Sequence, residues 1–333
     1  MGKCLVTKLS GTVNNDKLLR IGEFAIKVAK VDSPTDATQC ISVEMANAKS
    51  KARILGDGYF TDKTLSENKG KEIELIIGRN NLYVSPNTDV TIIIENKYNI
   101  NLLESYANSQ TSTVYAKNKS FSLDDLKFSP YLKSINFNAS SVEGSISSFD
   151  GFTNFETISL INCNGVNGNL SALRGCKNLK ILGLDNTKVT GSLSDISGCK
   201  NLTNLYIQNC NEVTGKLSDI IALTKLKEIY LNSNIGGDLA TISPACYFIG
   251  IAKQTYDWTT RDSSANIFAI ECADATVKNV DKMLIDFAKC NAAIPSQTVR
   301  YKTIYVKGTR TSASDNAVAT LQQKGYTIGI AKA

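Results

Sequence analysis

"CKNLTNLYIQNCNEVTGKLSDI", residues 199–220, repeats the pattern of "CKNLKILGLDNTKVTGSLSDI", residues 176–196, one unit earlier in the chain. Leu179, Leu182 and Leu184 match Leu202, Leu205 and Ile207. The same L-x-x-L-x-L spacing recurs at Leu132, Ile135, Phe137, at Phe155, Ile158, Leu160, and at Leu226, Ile229, Leu231. A fixed period of this length marks stacked units, none of which can bury its apolar stripe alone. Three residues beyond each triplet stand Ser140, Cys163, Thr187, Cys210 and Asn234, all small or hydrogen-bonding. There the chain turns inward and buried backbone groups need a partner. Each copy then supplies a glycine (Gly144, Gly168, Gly191, Gly215, Gly237) and, two residues on, an apolar side chain (Ile146, Leu170, Leu193, Leu217, Leu239).

From Ile146, Leu170, Leu193 and Leu217 to the next triplet is always nine residues, while the other arc varies in length. One arc is rigid and the other carries the insertable loop. The same step projects a half-copy from Leu123 to Leu132 and a worn one from Leu239 to Phe248 with Ile251. Terminal repeats differ because one side of each meets solvent or a cap. These features predict a leucine-rich-repeat solenoid, with short parallel strands on a concave face and glycine-turned returns opposite. Its G-x-L-S-x-I half resembles the repeat subclass best known from plant receptors, a likeness of geometry.

The flanks have other textures. Residues 1–100 read as an all-β domain, sandwich or barrel. "KEIELIIGRNNLYVSPNTDVTIIIEN" (71–96) gives β-rich runs broken by Asn-Asn and Pro-Asn-Thr-Asp turns, and "RILGDGYFT" (53–61) reads as a hairpin closed by Gly56, Asp57 and Gly58. A polar bridge, "ANSQTSTVYAKNKS" (107–120), leads into the solenoid, which with its lead-in covers 101–260. Residues 261–333 alternate strand and helix. "TVKNVDKMLIDFAKCNA" puts Val280, Met283, Leu284 and Phe287 on one helix face, and "SASDNAVATLQQKG" is a second helix with Ser312 or Ser314 as N-cap and Gly325 at its C-terminal end. This α/β segment continues the parallel sheet as a C-terminal cap. The whole is a mixed α/β multidomain chain.

Composition narrows the chemistry. No run approaches roughly 18 uninterrupted apolar residues, so no membrane helix is expected. The opening "MGKCLVTKLSG" lacks the apolar stretch of a signal peptide, and Val6 breaks the myristoylation pattern begun by Gly2. This points to assembly in a cytoplasm. Nine cysteines without a C-x-x-C pair, four of them (Cys163, Cys176, Cys199, Cys210) in repeat register, read as free buried thiols. No metal or cofactor is implied. The net charge of +6, pI near 8.7, includes clusters at Lys49, Lys51, Arg53 and at Arg174, Lys177, Lys180, without the aromatic-basic alternation of a nucleic-acid groove. A solvated surface is the simpler account, and affinity for an acidic partner stays open.

The chain has no histidine. That removes Ser-His and Cys-His nucleophiles and histidine acid-base catalysis. A two-carboxylate glycosidase survives this test. Asp195 and Asp219 would stack about 5 Å apart on adjacent repeats, but each follows serine in "LSDI", which favours turn capping over catalysis. No catalytic residue is expected, so binding is what the solenoid offers. The outward strand positions include Asn136, Ser159, Lys180, Tyr206, Lys227 and Tyr230, with the two tyrosines in register. Aligned aromatic anchors on a rigid sheet suit protein or glycan recognition. A plain polar face filled with β-favouring residues would read the same way.

The opening "MGKCLVTKLSGTVNNDKLLRIGE" (1–23), the repeats, and the ending "GTRTSASDNAVATLQQKGYTI" (308–328) together resemble a family of virion proteins from phages of gut Bacteroidales, including the crAss-like phages. The resemblance implies an N-terminal domain anchored to other virion proteins of capsid or tail, a homo-oligomer assembled in the host bacterial cytoplasm, and a head or tail fibre that meets a host protein or glycan. It implies no enzyme, no nucleic-acid partner and no membrane insertion. A bacterial leucine-rich-repeat adhesin and a cytosolic binding scaffold are the competing readings.

Overall fold

The computed structural model describes residues 23–28, 39–56, 59–62, 65–69, 72–84, 90–95, 100–107, 119–127, 131–290 and 302–332. The quoted opening up to residue 22, Asp57 and Gly58, the Pro-Asn-Thr-Asp turn and most of the polar bridge lie outside them. The chain divides into two compact units, Met1–Ser148 with Asn162–Val166, and Phe149–Ile161 with Asn167–Ala333.

Among the described residues the first unit is β apart from short 3-10 turns at Leu123–Leu126 and at Ile146–Phe149, which begins in it. Strands Lys119–Ser120, Phe24–Val28, Val90–Ile94, Ser50–Gly56 and Glu72–Leu75 lie side by side in that order, antiparallel throughout. A second antiparallel set runs Leu65–Lys69, Tyr59–Asp62, Gly78–Val84, Gln39–Met45, Ile100–Ala107. Residues two apart share a strand face, and Phe24 with Ile26, Ile41 with Val43 and Met45, and Ile92 with Ile94 are all buried. The first repeat strand, Ser134–Asn136, pairs parallel with Ile100–Ala107. Within this unit the first repeat strand thus extends an edge of the β domain.

Two sequence expectations are corrected here. Strands Ser50–Gly56 and Tyr59–Asp62 pair in different sheets and not with each other, so they do not form the expected hairpin. Asn80 and Asn81 sit inside strand Gly78–Val84, and the turn falls at Ile76–Gly78. Asn80 builds that turn from the strand side: its Nδ2 donates to the carbonyls of Ile76 and Gly78, both at 2.9 Å, and its Oδ1 accepts from Ile76 N at 2.9 Å. Gly78, at φ +97°, takes the left-handed conformation.

In the second unit, strands Thr157–Ser159, Ile181–Gly183, Asn204–Tyr206, Glu228–Tyr230 and Phe248–Gly250 stack in parallel and in chain order. Ile158, Leu182, Leu205, Ile229 and Ile249 stand in one register column, each fully buried. Leucines that each repeat supplies singly thus become one continuous core. On the return arc Lys188–Ser192, Glu212–Lys216, Ile235–Asp238 and Thr255–Asp257 form a second parallel ladder, followed in the repeats by 3-10 turns at Leu193–Ile196, Leu217–Ile220 and Leu239–Thr241.

All five repeat glycines have positive φ, from +99° at Gly144 to +136° at Gly215. Space as well as conformation excludes a side chain: a Cβ on Gly191 would lie 2.9 Å from Asn169 Oδ1 and 3.1 Å from Leu170 N. The turn residues do the predicted work. Cys163 Sγ donates to Phe137 O and Cys210 Sγ to Leu184 O, each at 2.9 Å, and Thr187 Oγ1 donates to Leu184 O at 2.6 Å. The fifth copy departs from the alignment. Its inward residue is Asn232, buried and donating to the carbonyls of Cys210 (2.5 Å) and Val213 (2.9 Å), while Asn234 is exposed. Only three residues separate Leu231 from Ile235, the first buried apolar residue of the return strand, against five between Ile207 and Val213, so the shortened turn brings an earlier side chain inward.

Strands Ala269–Val277, Thr303–Lys307 and Thr327–Ala331 extend the same parallel sheet. Ala269–Val277 is long enough to pair with Phe248–Gly250 near its start and Thr255–Asp257 at its end, tying both ladders together. Helix α1, Val280–Lys289, buries the expected Val280, Met283, Leu284 and Phe287. Helix α2, Asp315–Gln323, ends as expected at Gly325 (φ +86°), where Gly325 N bonds Gln322 O and Tyr326 N bonds Leu321 O, a Schellman closure. Its start differs. Thr311 Oγ1 caps the lead-in turn by accepting from Ala313 N, while the hydroxyl of Ser314 donates to Asp281 of α1, linking the two helices. Among the described residues no helix is long and apolar enough to cross a membrane.

Candidate binding face

Each inner strand contributes three residues, of which the middle one is core, so the outer two form columns running across the repeats. One column reads Ser159, Gly183, Tyr206, Tyr230, Gly250 in exact register order. The Tyr206 and Tyr230 rings meet edge to face with centroids 5.4 Å apart, and Tyr230 continues to Phe248 at 5.0 Å. Gly250 gives the Tyr230 ring its place, since a Cβ there would fall 2.6 Å from Tyr230 Cδ1. A glycine inside a strand here marks a close approach.

The two tyrosines are half-buried, less open than exposed anchors would be. The Tyr230 ring lies against Tyr206, Phe248 and Gly250, and Tyr206 is held by polar bonds. Tyr206 OH donates to Glu228 Oε2 at 2.6 Å and Tyr247 OH donates to Glu228 Oε1 at 2.6 Å, while Asn204 Nδ2 donates to Tyr206 OH at 2.6 Å. Burial, then the bond to Glu228, push the Tyr206 phenol well above its ordinary range. The result is a braced aromatic patch around a fixed carboxylate. Side chains locked in this way lose little rotamer freedom when a partner docks.

The other predicted positions separate. Lys180 and Lys227 are exposed two rungs apart in the second unit, on either side of the Thr203 rung, with Lys180 Nζ 2.6 Å from Glu156 Oε2. Ser159 is buried, with Ile161 against the adjacent Gly183. Asn136 belongs to the first unit, half-buried and in register with Glu104, whose Oε1 accepts from Ser134 Oγ at 3.0 Å. Tyr247 was not singled out from sequence. Its N bonds Lys227 O, one rung after Lys227 in the worn repeat, and only that register identified it.

Asp195 and Asp219 are caps. Asp195 Oδ2 accepts from Ser192 N at 3.0 Å and Asp219 Oδ2 from Lys216 N at 2.8 Å, and Arg174 Nε donates to Asp195 Oδ1 at 3.1 Å. Six described cysteines are free and buried; burial raises the thiols of Cys163 and Cys199 to about 11 and those of Cys176 and Cys246 to about 12, which holds them protonated. Among the described residues no group of three or more His, Cys, Asp or Glu side chains could hold a metal ion.

Asp185, at the end of its strand, is raised to about 6 by burial, opposed in part by the bond it accepts from Gln208 N at 2.6 Å. A carboxyl whose folded value lies above the unfolded one favours folding when protonated, and that contribution is lost as pH rises from about 4 through about 6. Asp185→Asn keeps an acceptor for Gln208 without the charge. It should be more stable than the parent at pH 7 and equal to it near pH 4, as read by urea midpoints at both values.

Short inner strands in register, a glycine turn in every copy and inward Cys, Thr or Asn at each bend settle the architecture. This is a leucine-rich-repeat fold. No protein-family model matches the chain, and no curated protein matches it. Among solved structures it is similar to the plant peptide hormone receptor RGFR1 in complex with RGF2, at 15% identity and TM-score 0.45 over 64% of this chain and 38% of that one. It is also similar to internalin C2 of Listeria monocytogenes, at 13% identity and TM-score 0.41 over 70% of this chain and 82% of that one. A leucine-rich-repeat protein of Leptospira interrogans aligns at 11% identity and TM-score 0.36 over 62% of each chain. The chain spans well under half the length of the plant receptor.

Proposed function

We propose that this protein is a non-enzymatic structural component of a phage virion, a head fibre or other capsid-attached part, whose inner repeat face docks a host-surface protein or glycan. The observation that supports the binding role most is the Tyr206–Glu228–Tyr247 brace beside the Tyr206–Tyr230 pair, which holds an aromatic patch rigid on a stiff parallel sheet. The virion role rests on the sequence resemblance of both ends and the repeats. In this reading the N-terminal β strands hold the chain to other virion proteins through homo-oligomeric packing, and the repeats project outward.

Mass spectrometry of purified, nuclease-treated particles from a host carrying the gene tests the role. Peptides in constant ratio to the major capsid protein are expected, with a high ratio for a head fibre and a low one for a tail or baseplate part. Protein left soluble in the lysate would overturn the virion reading in favour of a cytosolic scaffold, and protein in the cell envelope in favour of an adhesin.

A further inference from the structure

Three successive rungs of the second unit carry cations along one edge of the sheet, where the chain leaves its 3-10 turns and runs into the strands. Residues 174–181, 197–204 and 221–228 hold six basic side chains and one acidic, Glu228, whose oxygens accept from Tyr206 and Tyr247. Lys177 and Lys200 occupy equivalent positions, each directly after a buried cysteine. Lys225 follows on the third rung, its Nζ 2.7 Å from Asn201 Oδ1, and Asn201 Nδ2 donates to Lys177 O at 3.0 Å, so side chains tie the three rungs at this edge. Lys180 and Lys227 flank Thr203 in the next column, with Thr203 N on Lys180 O and Lys227 N on Thr203 O, both at 2.8 Å. All five lysines are exposed.

On this edge Arg174 pairs with Asp195, and several cations elsewhere are paired as well. Lys49, Lys51, Arg53, Lys278, Lys307 and Arg310 each meet a carboxylate. Among the described residues Lys177, Lys200 and Lys227 have no acidic partner, and the Lys180–Glu156 pair is open to solvent, where such pairs are worth little. A row of like charges about one rung apart, roughly 4.8 Å, repels itself and favours a ligand that repeats its negative charge along the same axis.

We propose that this lysine ladder binds a linear acidic polysaccharide laid along the stacking direction, one carboxylate or sulfate meeting each rung. The inference narrows the ligand class of the face described above and rests on that reading. A sugar unit advances a chain by about one rung, whereas an extended peptide presents same-face side chains roughly 6.8 Å apart. Lysine, a hydrated point charge, suits scattered carboxylates and lacks the fork that arginine offers to phosphate. Single-stranded nucleic acid calls for aromatic side chains interleaved with the basic ones, whereas Asn178, Asn201 and Thr203 stand among the five lysines, and Tyr247, in line beyond Lys227, has its hydroxyl on Glu228.

The purified full chain should bind polygalacturonate, one carboxylate per sugar, more tightly than neutral dextran, with affinity falling steadily as salt rises. The triple variant Lys177→Glu, Lys200→Glu, Lys227→Glu should bind at least about tenfold more weakly at low salt. A triple of identical charge change on the other ladder and the bend leading into it, Lys188→Glu, Lys216→Glu, Lys253→Glu, should stay within about twofold of the parent. Circular dichroism checks that both variants fold. Equal weakening by the two triples, or no preference for polygalacturonate over dextran, would overturn the proposal. Tighter binding to poly-glutamate or to a single-stranded oligonucleotide would overturn it in favour of a peptide or nucleic-acid ligand. A chain found in particles yet indifferent to polygalacturonate keeps the virion role and loses this ligand.

Discussion

Trp258→Ala should destabilise the C-terminal end of the protein by about 3–5 kcal/mol, the usual range for deleting a buried large aromatic side chain. Trp258 is 1% exposed and its ring centroid lies 5.0 Å from Phe287 and 6.1 Å from Phe268, which in turn meet edge to face at 4.9 Å. Its indole also has a polar task. Nε1 donates to Asp286 Oδ2 at 3.0 Å, and the same carboxylate accepts from Arg261 N at 3.2 Å and from Lys282 Nζ at 3.1 Å. Asp286 is almost fully buried, so removing a donor leaves charge less well compensated. Trp258→Phe separates the two losses. It keeps most of the apolar contact and drops the N–H, and should cost about 1–3 kcal/mol. Urea unfolding followed by circular dichroism reads all three proteins on one scale. An alanine variant within 0.5 kcal/mol of the parent, well inside ordinary surface variation, would mean that the cluster does not hold the cap.

Arg261 shows why this end closes the repeats. Its guanidinium is buried, 4.6 Å over the Phe268 ring, and donates to the carbonyls of Ile242 (2.9 Å), Ser243 (3.1 Å) and Asn266 (2.9 Å). Burial lowers its pKa from the ordinary arginine value. The first two carbonyls lie just beyond the last 3-10 turn, where no further repeat follows to receive them. Capping a repeat array requires that such groups find partners.

None of this was visible in the sequence, while the repeats were visible in detail. The leucine columns, the five turn glycines and the first cap helix all announce themselves through a period, either of the repeat or of the helix. Trp258, Arg261 and Asp286 have no period. They come together from the end of the repeats and from α1, and only the folded chain brings them to one place. The same limit explains the misplaced turn at Asn80, where a strand residue serves a turn two positions earlier, and the mistaken choice of Asn234. A shortened loop moved the inward position by two residues, and counting from Leu231 carried the longer spacing of the preceding copies past it. At the binding face the register of Tyr206 over Tyr230 followed from the spacing. Their partial burial did not, because it depends on what meets each ring across the rungs: Glu228 at the Tyr206 hydroxyl, and Phe248 and Gly250 against Tyr230.

Leu205→Ala is expected to cost about 2–5 kcal/mol, and its consequences should not stay in one repeat. Leu205 is fully buried and stands in register between Leu182 and Ile229 on the flanking rungs. In a solenoid each unit is stabilised chiefly by its neighbours, so a cavity at one rung weakens two interfaces at once. The urea transition should therefore broaden as well as shift, with the two sides of rung 205 losing their common cooperativity. Thr203→Ala, two residues earlier on the outer side of the same rung, removes a partly exposed hydroxyl that donates to Lys180 O at 3.0 Å. It should shift the midpoint by at most about 0.5–1.5 kcal/mol and leave the transition sharp. If Leu205→Ala instead moved stability by less than about 0.5 kcal/mol while Thr203→Ala moved it more, the inner and outer faces of the strands would be reversed. The proposed binding residues would then lie in the core, and the core leucines on the surface.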